Sequence, residues 1–522
     1  MTGSSSTIAG EYSKLESDRN IYLDRARECA LLTIPTLVPP SVKGSATKFI
    51  TPYQGVGARG LNNLSSKLLL ALFPPSQPFF RLSVDDSILE ALGSSRGDTE
   101  EALSTIEKRV VSEVNSSAIR IQLFEAIKQL VVAGNVLLYL PPKTTSLRVF
   151  RLDRYVVSRD PMGAVVRIIT KEEIAVKVLD EKLREELKLT ATDEAKAKLN
   201  DEDKEIEIYT LIERTRSGKW EVTQEIEGMV IESTKTSYAK DKSPWLPLRL
   251  ISVDNEDYGR SYVEEYLGDL KSLEGLTKAI VEASAAAAKM LIFVKPNGTT
   301  RKRDVAEAKN LAVLAGNAED ISTMRTDKQG DFRVAKEVTD AISERLSYAF
   351  MLNSAVQRKG DRVTAEEIRY MASELEDALG GIYSVLAQEL QLPLVSLLMS
   401  RMQRQGSIPA LPKEMVKPTI TTGMEALGRT ADLQKLDMFI QSSAQALGAE
   451  TIAQYLSVDE YFKRRASALQ IDTKNLIKTQ AEVEQKQQQQ QAMQMMQTAI
   501  PGVVDGASSM MQQQAQPQPS QG

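Results

Sequence analysis

Histidine is absent from this sequence, and cysteine occurs once, at Cys29. Intramolecular disulfides are thereby excluded, as are metal sites built on imidazole and thiolate groups. The commonest general base and every triad that depends on it go too, which leaves carboxylate, lysine or tyrosine chemistry for any enzyme. Aromatic residues are scarce, at 5%. No apolar run approaches the roughly 18 residues that a membrane span needs. The amino-terminal MTGSSSTIAGEYSKLESDR carries no apolar stretch of the signal-peptide kind. The protein is therefore expected to stay inside the cell that makes it and to have no membrane partner. A strongly basic character is also missing: with a net charge of −5, any nucleic acid must be met by a local patch.

What is present is a chain of 522 residues, 42% hydrophobic and 26% charged, long enough for two to four domains or one elongated subunit of an assembly. Its abundance of Ala, Leu, Glu, Gln and Lys leans towards helix. GEYSKLESDRNIYLDRARECALL has helical spacing and stops at TIPTLVPP, and Leu61 to Phe73 is a second helix ended by Pro74 and Pro75. Residues 100–140, including LFEAIKQLVVAGNVLLYLPP, read as further core helices. Between Leu147 and Glu232 the period changes to that of strands. RYVVSRDPMGAVVRIIT turns at Asp160, Pro161, Met162 and Gly163, and EIEIYTLIERTRSGKWEVTQEIEGMVIES turns at Ser217 and Gly218. With a charged helical segment at 171–200 between them, these predict a small, partly solvated antiparallel sheet. The fold class is α+β, mainly α.

Ser261 and Glu264 form a capping box that opens SYVEEYLGDLKSLEGLTKAIVEASAAAAKM, a helix of about 43 Å at 1.5 Å per residue. Within it Leu270, Leu273, Ile280, Ser284 and Ala287 lie on a seam spaced by fours and threes that narrows to small side chains, as crowded helix packing requires. LIFVKPNGTTRKRD then predicts a strand and a turn with a basic tip, Lys295, Arg301, Lys302 and Arg303, and VAEAKNLAVLAG a short helix. A second long helix runs from Val334 to about Val356. Two long helices bracketing about forty residues make a stalk with a head on it. After QRKGDR, Thr364 and Glu367 make another capping box, and Ile368, Met371, Leu375, Ala378, Ile382 and Leu386 share one face. Gly380 and Gly381 weaken that helix or mark a close backbone crossing, and Pro393 bends or ends it. Gly428 to about Lys478 reads as helical, and the glutamine-rich end beyond it is expected to be disordered unless a partner orders it.

GVGARG, residues 55–60, has the spacing of a dinucleotide fingerprint. That reading requires a buried strand before it and an acid roughly 20 residues on. The preceding KFITPYQ holds a proline, and PPSQPFFRL offers Arg81 and no acid, so Gly55, Gly57 and Gly60 are read as serving a turn or close packing. The Gly218 and Lys219 pair belongs to no phosphate-binding loop. Acidic pairs such as Glu264 with Glu265 read as solvated helix faces rather than metal sites. No catalytic residue, cofactor or metal is assigned. Arg358, Lys359 and Arg362 form a second basic group; repeated around a pore, either group becomes a belt of positive charge facing whatever passes, phosphate backbone included.

TPYQGVGARGLNNLSSKLLLALFP, LFEAIKQLVVAGNVLLYLP, YGRSYVEEYLGDLKSLE and LSYAFMLNSAVQRKGDRVTAEEIRYMASELEDALGGIYSVLAQELQLPLV resemble the head-to-tail connector, or portal protein, of short-tailed autographivirus phages, from about residue 10 to residue 430. The resemblance implies a portal fold assembled as a dodecameric ring at one capsid vertex. Its parts are a wing (1–257), a first stem helix (258–290), a clip (291–331), a second stem helix (332–356), a channel loop (357–363), a long wing helix (364–424), a crown (425–480) and the tail (481–522). By position, Arg358, Lys359 and Arg362 inherit the narrowest part of the channel. Double-stranded viral DNA would pass non-specifically during packaging and ejection. The terminase large subunit and then a tail adaptor would dock on the clip. Scaffolding, capsid and internal core proteins would be further neighbours, the ring being built in the host cytoplasm and ending in the virion. The alternatives are a helical scaffold or adaptor without a pore and, less favoured by the residues, a nucleotide-binding enzyme.

Overall fold

Thr7 caps helix α1 (Ile8–Leu31): its Oγ1 accepts the Gly10 N–H at 3.2 Å. A second acceptor comes from far along the sequence. The buried Glu225 carboxylate takes the N–H groups of Ile8 and Ala9 at 2.5 and 3.2 Å, so a negative charge sits at the positive end of the helix dipole. The computed structural model describes residues 7–40, 48–75, 78–84, 96–116, 118–142, 144, 146–190, 199–287, 291–309, 311–324, 329–352, 371, 374–375, 377–409, 416–420, 426–448, 461–462 and 465. The segment 357–363 with Arg358, Lys359 and Arg362, the Thr364 and Glu367 pair, Ile368 and the glutamine-rich tail lie outside the described residues. Two compact units divide the chain. The first comprises residues 1–81, 108–412 and 418–424, and the second residues 82–107, 413–417 and 425–522.

α2 (Val56–Leu72) follows α1 in the first unit; β1 (Phe80–Val84) and α3 (Arg96–Ser116) each belong partly to the second unit, and α4 (Ile119–Ala133) to the first. Gly134 ends α4 at φ +70°, where a Cβ would lie 2.5 Å from the Arg260 carbonyl carbon. The helix expected to continue through NVLLY therefore stops, and β2 (Asn135–Tyr139) is a strand. Its run of Val136, Leu137 and Leu138 is buried on both faces, so the sequence shows no alternation that would separate strand from helix. β2 lies between β3 (Arg148–Phe150) and a later strand, β9.

The second sheet has the order β4-β5-β6-β7-β8, antiparallel throughout. Its strands are β4 (Tyr155–Arg159), β5 (Val165–Ala175), β6 (Glu205–Arg214), β7 (Trp220–Ile226) and β8 (Met229–Tyr238), with α5 (Glu181–Thr190) between β5 and β6; β9 (Trp245–Arg249) follows. Both foreseen hairpins are present. The Asp160 carboxylate accepts the N–H groups of Met162 and Ala164, and Gly163 and Gly218 take φ +80° and +81°. Alternation along β6 sends neighbours to opposite faces. Ile208 joins Val176, Leu187, Leu199, Ile206, Ile226 and Ile231 in one core, while Tyr209 joins Ile8, Tyr12, Val156 and Ile169 beneath α1. Burial pushes the Tyr12 hydroxyl up to about 12, with the nearby Arg19 guanidinium pulling the other way.

Next come α6 (Tyr262–Glu265), α7 (Leu267–Ala287), β10 (Leu291–Val294), α8 (Lys302–Glu307), β11 (Ile321–Met324) and α9 (Gln329–Ala349). Beyond residue 370, Gly380 at φ +56° interrupts the helix, and α10 (Gly381–Leu386), a π-helical turn (Ala387–Gln391) and α11 (Leu392–Arg404) follow. A Cβ at Gly380 or Gly381 would meet nothing within 4 Å, so these glycines mark a backbone turn and not a crossing. The buried face runs through Met371, Leu375, Leu379, Tyr383, Leu386 and Leu390, and Ala378 is exposed, one position away from the expected track. Pro393 is the second residue of α11, directly after the π-helical turn that interrupts the regular α-helical ladder. Gly381–Arg404 has the length and apolar content of a membrane span, which single-run inspection does not reveal. Its Leu386, Leu390, Leu394, Val395 and Leu398 are buried within the protein and Arg401 is buried beside Glu113, the pattern of a core helix.

The second unit holds its own contacts. Glu107 accepts the Leu82 N–H at 2.7 Å, the Ser83 hydroxyl donates to the Lys417 carbonyl in β12 (Val416–Ile420), and Asp437 on α12 (Ala426–Leu447) accepts from Tyr461 and Arg465 at 2.9 and 3.0 Å.

Candidate functional site

The helix pair α7 and α9, with the insertion between them, is where the sequence concentrates its unassigned signals. At its base lies the GVGARG block. Gln54 accepts the Gly57 N–H at 2.9 Å and donates to the Leu32 carbonyl at 2.6 Å, while the Glu274 carboxylate of α7 accepts the N–H groups of Tyr53 and Gln54 at 3.0 and 3.1 Å. A Cβ on Gly57 would lie 2.2 Å from the Leu32 carbonyl oxygen, and one on Gly60 would lie 2.6 Å from the Phe350 ring. These glycines therefore admit backbone and an aromatic ring. Asn63 donates to the carbonyls of Phe350 and Met351 at 3.0 and 2.9 Å, and the Lys67 ammonium reaches the Met351 carbonyl at 3.0 Å and Glu374 at 3.5 Å. Burial lowers the Lys67 pKa against the pull of Glu374. α2 thus ties down the end of α9, where Met351 takes φ +55° just before the segment that carries Arg358.

The shaft begins with Ser261, whose Oγ accepts the Glu264 N–H at 2.9 Å. The reciprocal half of the capping box is not what Glu264 does, since its carboxylate meets Arg260 at 3.3 Å. The expected single helix is broken at Tyr266, and its long part is α7. Tyr262, Tyr266 and Phe350 cluster there, with the Tyr262 hydroxyl donating to the Ala349 carbonyl at 2.9 Å. Of the predicted seam, Leu270 and Leu273 are buried inside the protomer, beside a helix that buries Ile342 and Leu346. They pack within the chain's own core. Ile280 is half-buried and Ser284 exposed, and the Ala287 side chain lies outside the described residues. Arg345 on α9 pairs with Asp269 on α7 at 2.8 Å.

At the head, β10 pairs antiparallel with β11, from Leu291 opposite Met324 to Val294 opposite Ile321. β11 went unforeseen because ISTM is short and half polar. The expected helix VAEAKNLAVLAG reduces to α8, which ends at Glu307. One carboxylate organises the turn. Asp320 Oδ2 accepts Thr299 N–H at 2.8 Å, Thr299 O–H at 3.2 Å and Thr300 N–H at 3.2 Å, while the Asp320 carbonyl accepts the Lys295 N–H at 2.9 Å. Burial works to raise its pKa, but the hydrogen bonds from Thr300 and Thr299 outweigh it and hold the carboxyl below its ordinary value. The structure places Lys295, Arg301, Lys302 and Arg303 in the one insertion, all exposed, with Arg303 paired to Glu307 at 2.9 Å. Ile292, Phe293, Leu311 and Val313 are exposed beside them in sequence, Val313 completely at 100%.

Residues 5–477 match the family described as "Bacteriophage head to tail connecting protein". The chain belongs to this family. It is 45% identical over 509 residues to the portal protein of Escherichia phage T7, covering 96% of this chain and 92% of that one. It is 44% identical over 505 residues to the portal protein of Enterobacteria phage T3, with 95% and 91% covered. The portal protein of Pseudomonas phage phiKMV is 30% identical over 502 residues, with 93% and 95% covered. Among solved structures, a chain of the virion of a native gene transfer agent particle aligns over 80% of this chain and 90% of its own length at 13% identity and a TM-score of 0.35, too loose to carry an argument. This head-to-tail connector is a structural portal protein, an oligomeric ring of the virion at the capsid vertex, and not an enzyme. Gln54, Asn63, Lys67 and Glu274 escaped the sequence reading because each acts on a backbone group distant in the chain. Asn63 lies in the GLNN that extends the glycine block, which was the one available hint.

Proposed function

We propose that this portal is a dodecameric ring through which double-stranded viral DNA passes non-specifically, inward during packaging and outward during ejection. In this reading α7 and α9 are the stem, the insertion 291–331 is the clip, residues 1–257 with 364–424 are the wing, and 425–480 the crown. The clip receives the terminase large subunit and later a tail adaptor. Scaffolding, capsid and internal core proteins meet the ring during its assembly in the host cytoplasm. The observation that carries the docking assignment is the head itself: within residues 292–313 Lys295, Arg301 and Lys302 are exposed, and so are Ile292, Phe293 and Val313, a mixed basic and apolar segment of the kind that takes a protein partner. Conduction of DNA suits a chain of net charge −5, because every strong phosphate contact adds affinity and DNA that slides cannot be held by many.

The test is a triple variant, Arg301→Ala, Lys302→Ala and Arg303→Ala, in the full-length protein. Rings of normal size by negative-stain microscopy are expected, with affinity for the terminase large subunit reduced by about tenfold, roughly 1.4 kcal/mol. Undiminished terminase binding overturns the docking assignment, and failure of the variant to form rings moves these side chains to subunit contacts instead.

A further inference from the structure

α7 and α9 pack on each other with one face each, and each keeps a second face open. Asp269 pairs with Arg345 at 2.8 Å and the Tyr262 hydroxyl meets the Ala349 carbonyl, whereas β10 and β11 join the opposite ends, so the two helices run antiparallel. Leu270 and Leu273 are the buried side of α7, and Ile342 and Leu346 that of α9. The exposed side of α9 is a ridge. Val334, Val338 and Tyr348 are 57%, 45% and 66% exposed, and with exposed Ala341 they follow the four-and-three spacing of one helix face. Arg345, between them, is engaged by Asp269 of its own chain. Apolar side chains lined up in water mark a contact surface. The exposed side of α7 is the converse, a groove. Gly268, Ser272, Gly275, Ala279 and Ala286 recur at the same spacing, and all are exposed. A Cβ on Gly268 or Gly275 would meet nothing within 4 Å, although glycine inside a helix is unfavourable unless a close neighbour needs the space. No neighbour within the described protomer does.

A closed ring is built from a contact between two different faces, repeated once per subunit. We propose that the next copy of this chain supplies the missing neighbour: the α9 ridge of one subunit, Val334, Val338 and Tyr348, lies in the α7 groove of the next, over Gly268, Ser272, Gly275 and Ala279. Helices meet by setting ridges into grooves, and glycine in the groove brings the two backbones close. The inference rests on the stem reading, in which both helices run along the channel. Rotation about a ring axis moves a copy sideways and not along that axis, so the register inside one protomer also holds between neighbours. Counted outward from the Asp269–Arg345 pair in opposite directions, Lys271, Lys278 and Glu282 each come within one residue, about 1.5 Å, of the level of Glu344, Glu337 and Arg333. By helical spacing the first three edge the groove on one side, and the last three edge the ridge on the side that meets it when the helices are antiparallel. Each of the three pairs is opposite in charge. Within its own chain Lys271 has Glu28 at 3.1 Å and Lys278 has Glu282 at 3.9 Å, but these side chains are all more than half exposed, and such surface pairs exchange readily. Charge therefore sets the register, and the apolar ridge holds it. A phosphate backbone fits this ridge poorly, since Glu337 and Glu344 repel it and Val334, Val338 and Tyr348 offer it no cation.

The test is made on the full-length protein, with rings read by negative-stain microscopy. Gly275→Leu fills the groove at a position that is open within the protomer, so far-UV circular dichroism should be unchanged while rings fall about tenfold or more at equal protein concentration. Normal rings from this variant overturn the proposal, and normal rings that retain less DNA assign the face to the channel instead. Ser272→Cys combined with Ala341→Cys, two small exposed positions, reads the contact directly and decides the matter should Gly275→Leu misfold. Mild oxidation of assembled rings should give a ladder of covalent multimers on a denaturing gel, removed by reductant, and neither single variant should give one; the buried Cys29 stays in place. A band at protomer mass alone overturns the proposal, because the two faces then do not meet across subunits. Dimers from either single variant overturn it as well, because like faces then meet. Wild-type protein that forms no rings fails the portal reading itself, whereas wild-type rings without the ladder fail only this contact.

Discussion

Gly57 and Gly60 stand one helical turn apart on α2, and each is held to glycine by a neighbour of a different kind. Beside Gly57 is a backbone carbonyl 2.2 Å from where a Cβ would be, which cannot rotate away; beside Gly60 is the Phe350 side chain at 2.6 Å, which can shift only by disturbing the ring cluster with Tyr262 and Tyr266. Gly55, with nothing within 4 Å of its Cβ position, is under no such constraint. Gly57→Val is therefore expected to destabilise the protein by about 3 kcal/mol or more, the upper end for overpacking, and Gly55→Ala by about 1 kcal/mol or less. Urea unfolding midpoints of the two variants check this; equal midpoints would show that α2 has room to move. The dinucleotide spacing of GVGARG is thus a by-product of where the backbone and Phe350 come close.

The head between α7 and α9 is small, and a single carboxylate holds its turn. Asp320 has a folded-state pKa below its unfolded value, so its contribution is present above the unfolded pKa and is lost as pH falls through the folded one. Amide protection of Thr299 and Thr300 in the full-length protein should accordingly be retained at neutral pH and disappear on acidification below the ordinary carboxylate range. Asp320→Ala should lack that protection already at neutral pH, because three donors lose one acceptor together. Hydrogen exchange read by mass spectrometry decides it, and protection that survives in Asp320→Ala would mean that β10 and β11 hold the turn unaided. The two strands were unequally legible: LIFV shows as a strand, whereas ISTM is recognisable only once paired, Ile321 opposite Val294. NVLLY is the converse case, a buried run whose period says nothing until Gly134 turns the chain.

For the whole molecule, a ring in which every subunit turned a basic segment towards the axis would gather weak charges into a belt. Arg358 and Arg362, assigned by position to the narrowest part of the channel, are expected to retain DNA by a few phosphate contacts per subunit without fixing it. Arg358→Ala with Arg362→Ala should leave ring formation and head assembly intact while particles lose packaged DNA, measured as nuclease-resistant genome per head at rising salt. Retention equal to wild type removes the valve assignment. Leu270 and Leu273 are buried within one protomer, so among the described residues named for ring packing Ile280 and Ser284 are the ones less engaged in the chain's own core.

From residues alone came the antiparallel hairpins, because turn chemistry at Asp160–Gly163 and Ser217–Gly218 is local, and the two long helices around an insertion, because their periodicity is local as well. The long sequence blocks were specific enough to place the chain among the head-to-tail connectors. Tertiary structure alone decided what joins distant parts of the chain: Glu225 capping α1 across 217 residues, Asn63 holding Phe350 across 287, and Arg401 buried by Glu113 from 288 residues away. Such contacts leave no periodic trace, since each depends on where folding brings a single donor and acceptor. The glycines of GVGARG belong to both accounts: their spacing is visible in the sequence, but its cause is a carbonyl and a ring contributed by other segments.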